Sequence, residues 1–393
     1  MKSLRDVSLL ACSVALFATA VAAQEGTQAA DGQHDGAAAQ APPAASVVST
    51  DLYVPAEPLT KTAPDYPSSA LYSGRQGWAK ASFVISAEGK VIEPMIEQSS
   101  HHDFDAPTLR AIKNWRYKPA MLNGTPVEQS MVETIIRYQL GTASGASAQF
   151  VKKYRATQSL IVAKNFPEAA KSLQSLETGP INYYEDAWLW WLKYVYLETT
   201  GATDPQALGE ALHKSLGSTE TRTDSILEPD IFVLASQRLY VLSVRSNDLS
   251  GAISTLERLK ESKPAHGSKL YKDVMAQLEP INSEVVRIVA GPRIVRQEGR
   301  IDEHNYWVHR MLRRSFSFGD VKNGQLEVVD LRCTRANRRL ISVPENAVLK
   351  LPESWGDCRV YIKGDPGTTF SYEEYPADVA NAVDPAQIAS KPE

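Results

Sequence analysis

The chain is poor in cysteine, has no basic excess and, after its first two dozen residues, has no long apolar run. Three cysteines occur in 393 residues, and none belongs to a Cys-x-x-Cys pair. That leaves out the usual zinc ribbon and dithiol motifs. Lys and Arg number 42 against 46 Asp and Glu, a net charge of -4 with pI near 6.0. A nucleic-acid partner normally demands a strong basic surplus and is not expected. A G-x-S-x-G elbow and a P-loop are both missing. With no catalytic constellation in sight, the chain is expected not to be an enzyme and to need no cofactor.

What is present begins at the N-terminus. Lys2 and Arg5 precede an apolar stretch from Val7 to Val21, and small residues follow from Ala20 to Ala23. Residues 1–23 read as a secretory signal peptide, too short for a span, which needs roughly 20 apolar residues. An uncleaved inner-membrane anchor is the competing reading. Removal of Cys12 with the signal leaves Cys333 and Cys358. In an exported chain the two are expected to pair, two buried free thiols being the alternative. Closing a loop of that length adds roughly 3 kcal/mol of stability.

Composition then divides the chain. Residues 24–57 are rich in Ala, Gln, Gly and Pro and bury too little apolar surface to order themselves, so a flexible leader is expected. In 58–141, Trp78–Ile85 and Val91–Ile96 flank Glu88-Gly89 and predict a β-hairpin. Leu109, Ile112 and Trp115 have helical spacing, with Asp105 placed as cap and Pro107 tolerated in the first turn. Asn123-Gly124 turns the chain into a last strand, Val127–Leu140. This is a small α+β layer pair.

Residues 146–280 lack strand alternation. Phe166, Ala169, Leu173 and Leu176 recur 83 positions later as Leu249, Ala252, Leu256 and Leu259. A small residue followed by Leu suits a packed helical hairpin and resembles the second helix of a tetratricopeptide (TPR) repeat, although those recur about every 34 residues. A TPR-like α-helical array is expected, any helical hairpin being the plainer alternative. Trp188, Trp190, Trp191, Tyr194 and Tyr196 are expected in its core. Residues 281–376 turn to short strands: Val285–Val289, Arg293–Arg296, Tyr306–Leu312, Ser315–Phe318, Leu326–Cys333 and Cys358–Ile362. They predict a small all-β domain closed by the Cys333–Cys358 disulfide. Residues 377–393 read as a frayed polar tail.

Within 58–141 one ordered set of residues stands out. Tyr66-Pro67 is followed by Ala70, Gly74, Gly77, Phe83-Val-Ile85, Gly89-Lys-Val91, Ser99, Phe104-Asp105, Trp115-Arg-Tyr117-Lys-Pro119-Ala120 and Asn123-Gly124-Thr-Pro126-Val127. This set resembles the C-terminal domain of the TonB energy-transducer family. Physically, Gly77 and Gly89 ease the backbone into and between strands, Trp115 and Tyr117 pin the helix to the sheet, and Pro119 stops the helix.

The resemblance implies binding by strand addition. In that family the last strand takes up an extended peptide, the TonB box of an outer-membrane transporter. Carried onto this chain, the edge is Val132, Glu133, Thr134, Ile135, Ile136, Arg137, Tyr138, Gln139 and Leu140, with Tyr66 and Pro67 near the docking site. The implied partner is a TonB-dependent transporter or another envelope protein, and the implied compartment the periplasm. Blocking of the edge by the helical domain, or by a second copy in a homodimer, competes with this use. The spacer holds little more than Pro42-Pro43, which favours a soluble adaptor or regulator over an anchored transducer. A second function stays open: a non-enzymatic scaffold that binds envelope proteins through its helical and β domains.

His101-His102-Asp103 are expected to be exposed polar residues rather than metal ligands, since no second cluster has ligand spacing. His304 and His309 show no partner pattern. Ten arginines between Arg293 and Arg339 are expected on a solvated face, contact with anionic envelope polymers being the alternative.

Overall fold

Glu88-Gly89 reverses the chain between β-branched and aromatic residues, and the first folded module is built on that reversal. A computed structural model describes residues 52–141, 145–217, 225–341, 343–380, 382–385 and 388. The signal segment and most of the leader lie outside the described residues. Leu52–Glu393 make one compact unit.

The first module contains β1 (Tyr53–Val54), β2 (Glu57–Thr60), α1 (Ser68–Ser73), β3 (Gly77–Ile85), β4 (Val91–Ser99), α2 (Asp105–Lys113), β5 (Arg116–Lys118), β6 (Ala120–Leu122), β7 (Thr125–Val127) and β8 (Gln129–Tyr138). Strands Tyr53–Val54 and Glu57–Thr60 already begin before the expected boundary at 58, because β1 and β2 find partners in β6 and β5. The main sheet has the order β4-β3-β8, all antiparallel. Ala79, Ala81, Phe83 and Ile85 of β3 face α2, and Trp115 and Tyr117 each approach Phe83 at 6.0 Å between ring centroids. Two local expectations are corrected. Asp105 is the first helical residue rather than the cap, since a turn of 3-10 helix at His102–Phe104 leads in. Pro119 does not stop the helix, which ends at Lys113.

The second module is helical: α3 (Ala148–Val162), α4 (Phe166–Glu177), α5 (Tyr183–Thr199), α6 (Pro205–Leu216), α7 (Pro229–Arg245), α8 (Leu249–Glu261), α9 (Lys263–His266) and α10 (Tyr271–Ala290). Asn182 and Glu185 start α5 with a reciprocal capping box. α3 packs on α4, α5 on α6 and α7 on α8. The echoing segments are α4 and α8, each second in its pair, and Ala169, Leu173, Leu176, Ala252, Leu256 and Leu259 are all buried. Trp188 and Tyr194 are core, whereas Trp190, Trp191 and Tyr196 are half-buried.

Val285–Val289 is the end of α10, not a strand. Its β-branched residues favour extended chain, but Val274, Leu278 and Val285 form one buried helical stripe that continues through it. The third module follows as β9 (Val295–Arg300), β10 (Tyr306–Arg310), β11 (Ser315–Lys322), β12 (Leu326–Cys333), β13 (Asn337–Ile341), β14 (Leu349–Lys350), β15 (Cys358–Gly364) and β16 (Thr369–Tyr375). Two four-stranded antiparallel sheets, β10-β15-β12-β13 and β14-β11-β16-β9, enclose Phe316, Leu331, Leu340, Val360, Ile362 and Phe370. Cys333 and Cys358 are direct cross-strand partners joined by the expected disulfide. The tail is partly anchored rather than frayed: Val383 pairs with Leu349, and Ile388 packs on the core. Among the described residues no helix is long and apolar enough to cross a membrane.

Candidate functional site

Strand β8 lies at the end of its sheet. On one side it pairs with β3 from Gly77↔Tyr138 to Ile85↔Gln129; among the described residues no strand pairs with its other side. Of the expected edge residues, Val132–Tyr138 are in the strand, while Gln139 and Leu140 follow it. Met131 holds φ +57° beside the register shift between Phe83 and Ile85, so the strand bends at its start.

Both faces of this edge strand make contacts, and one of them is largely buried. Val132, Ile136 and Tyr138 face the α2 side of the sheet. Tyr138 stacks on Phe104 at 4.5 Å between centroids, and its hydroxyl shares a 2.8 Å hydrogen bond with Thr108. Burial pushes this phenol up to about 12. Tyr66 meets Tyr138 edge-on at 5.7 Å and donates to the Arg75 carbonyl at 2.6 Å. The Tyr66-Pro67 segment therefore sits at the C-terminal end of β8, with Pro67 preceding α1.

The opposite face meets the other two modules. The Arg137 guanidinium lies 5.0 Å from the ring centre of Tyr183 on α5. Glu133 pairs with Arg359 of β15 and with Lys80 of β3 at 3.2 Å. Glu97 of β4 joins the same cluster, 2.7 Å from Lys80 and 3.5 Å from Arg359, and accepts from the Tyr361 hydroxyl at 3.0 Å. Burial alone would raise the Glu97 carboxyl, but Lys80 and Arg359 hold it down at about 2. Among the described residues, the outer main-chain edge of β8 has no strand partner.

The arginines of the β module act largely as fasteners. Arg313 donates to the carbonyls of Ile288, Val289 and Gly291, capping the C-terminus of α10. Arg332 and Arg339 reach Glu93 on β4. His304, without an expected partner, stands 3.2 Å from Asp105 on α2 and 3.6 Å from Asp302. Burial opposes its charge, yet the two carboxylates raise it to about 9. His309 is buried against Gln297 and Glu374.

His101, His102 and Asp103 bring their ligand-type atoms within 4.8 Å of one another. The His101 ring also accepts from the Asp103 main chain at 3.3 Å and so caps the 3-10 turn. Arg75 and Lys214 lie close enough to depress His101, after burial, a field that works against cation binding.

The sequence did not flag the charged cluster Lys80–Glu97–Glu133–Arg359. Its only local trace is a charge on alternate positions of otherwise apolar strands. Nor did it flag the cavity of about 720 Å³ where the three modules meet, lined among others by Glu97, His213, Arg245, Glu298, Arg300 and His304.

Comparison with known proteins bears on the first module. Residues 62–140 match the family described as Gram-negative bacterial TonB protein C-terminal. No curated protein matches the chain. The solution NMR structure of Pseudomonas aeruginosa TonB CTD is similar to it at 20% identity, over 25% of this chain and 95% of that chain, with a TM-score of 0.20. The family match suggests an envelope setting and protein interaction or energy transduction there.

Proposed function

We propose that this chain is a non-enzymatic periplasmic protein that takes up extended peptides of outer-membrane transporters along the open edge of β8, in energy transduction or its regulation. The observation that carries the reading is that, among the described residues, β8 pairs with a strand on one side only. An incoming strand would gain main-chain hydrogen bonds along a rigid template, and its alternate side chains would meet the Tyr66 side and the Arg359 side in turn. The family match at 62–140 supports the same use. The test is titration of isotope-labelled full-length protein with synthetic TonB-box peptides. Amide shifts concentrated along Val132–Tyr138 are expected; an unchanged β8 would overturn the reading.

A second reading draws on a different observation. The β module is ion-paired to the small sheet through Arg359, and α10 is capped by Arg313, so the three modules present one continuous surface. On this reading the chain is an envelope scaffold whose TPR-like helical pairs and β domain hold the partners. Capture of envelope proteins by a Thr134→Pro variant, in which the β8 edge is spoiled, separates the two. Retained capture favours the scaffold, and lost capture favours the edge.

A further inference from the structure

The cavity between the modules has a pattern of charge that the rest of the molecule does not explain. Its walls come from the end of β4, from α6 to the start of α8, and from β9 through β10. At about 720 Å³ it falls within the range of small-molecule sites, and it lies at a junction of modules, where such sites concentrate. Most of its charged side chains are engaged by the protein itself: Lys214, for instance, stands 2.8 Å from Glu210 and 3.9 Å from Glu303, and Asp248 caps Gly251. Three are not. Arg245, at the end of α7, and Glu298 and Arg300, two positions apart on β9, make no side-chain hydrogen bond or ion pair among the described residues. All three are solvent-exposed where they line the cavity, so an incoming charge can reach them. A second cavity of about 460 Å³ shares Arg245, Gln297 and Glu298 with the first, so the cleft continues past them.

We propose that this cleft binds a short peptide with free ends, its carboxylate held by Arg245 and Arg300 and its ammonium group by Glu298. Two guanidinium groups suit a carboxylate, which takes charge-assisted hydrogen bonds from them, and a lone carboxylate suits an ammonium. The length of the joined cleft favours a chain over a single amino acid. His213 also lines the cleft, where its imidazole can hydrogen-bond the peptide's amide groups.

The experiment is isothermal titration of the full-length protein with the tripeptide Ala-Ala-Ala, its N-acetylated form, its C-amidated form, and alanine alone. Saturable binding of the free tripeptide is expected, with either blocked form and alanine at least 10-fold weaker. Glu298→Gln is expected to weaken the free tripeptide at least 10-fold while leaving the N-acetylated form unaffected. Arg245→Gln with Arg300→Gln is expected to do the same for the C-amidated form. Absence of saturable heat with the free tripeptide overturns the proposal. So does equal binding of the blocked forms by the wild-type protein, a result that does not depend on how any variant folds.

Discussion

Arg332 of β12, fully shielded from solvent, donates through Nη2 to the main-chain oxygen of Glu93 on β4 at 3.0 Å. Its guanidinium also lies 4.7 Å from the ring centre of Tyr361 and 3.6 Å from the Asp330 carboxylate. Glu93 answers with a 3.1 Å pair to Arg339 and holds φ +49°, a backbone state that side-chained residues adopt seldom. The β module is thus docked on the small sheet through a buried charge. Removing one partner of such an arrangement costs more than its net worth, because the other charges stay behind without compensation. Arg332→Met, which keeps most of the volume, is expected to lower stability by about 3 kcal/mol in urea unfolding. A loss under about 0.5 kcal/mol, the scale of an ordinary surface substitution, would mean that water reaches this contact freely.

Asp186 on α5 is buried near Trp78, Trp190, Lys214 and Arg75, where the first two modules meet. Burial raises its carboxyl to about 7, the nearby cations only partly offsetting that. The folded state therefore binds this proton more tightly than the unfolded chain does. Its contribution to stability is complete below about pH 4 and is lost as pH rises to about 7. Asp186→Asn is expected to match the wild type at pH 4 and to exceed it in melting temperature at pH 8. His304, raised to about 9 by Asp105 and Asp302 against the effect of burial, adds a separate loss between about 6.5 and 9. That alkaline loss should persist in Asp186→Asn and vanish in His304→Gln. Identical pH profiles for all three proteins would contradict both assignments.

Gly89 and Gly124 both sit in the left-handed region, at φ +77° and +82°. They differ in what a side chain would meet. A Cβ at Gly89 would fall 1.9 Å from the Tyr117 carbonyl oxygen, whereas nothing lies within 4 Å at Gly124. Gly124→Ala should cost only the backbone penalty, about 1–2 kcal/mol. Gly89→Ala should cost on the order of 2 kcal/mol more, because the close strand β5 must move. Equal losses in thermal unfolding would show that β5 gives way without cost.

The sequence disclosed features whose causes are local. A glycine turn between β-branched runs marked the β3–β4 hairpin, and helical spacing marked α2, α4 and α8. Two cysteines, in a chain read as exported, marked the Cys333–Cys358 bridge. It misled where local preference and packing disagree. Val285–Val289 has strand-forming side chains, but the buried stripe through Val274 and Leu278 keeps it helical. Asp105 looked like a cap, yet its carboxylate lies against His304 from another module. The docking cluster could not be read at all, since Lys80, Glu97 and Arg359 come together only when distant strands cross. Much the same holds for the cavity, whose walls are drawn from three modules.

Tyr66 offers the sharpest check on the open edge. Its ring meets Tyr138 at 5.7 Å and Phe104 at 6.4 Å, and its hydroxyl holds the Arg75 carbonyl. The ring contacts fix the last residues of β8, whereas the hydroxyl fixes the chain that leads into β3. Strand addition depends on a rigid template, so loss of the ring should loosen the end of β8 and weaken peptide uptake. Tyr66→Ala is expected to weaken binding of a TonB-box peptide about 10-fold, a difference of about 1.4 kcal/mol. Tyr66→Phe keeps the ring and should bind within about 3-fold of the wild type, given the modest net worth of one hydrogen bond. Fluorescence anisotropy with a labelled peptide measures both. If Tyr66→Phe fell as far as Tyr66→Ala, the hydroxyl rather than the aromatic contact would be what shapes the edge.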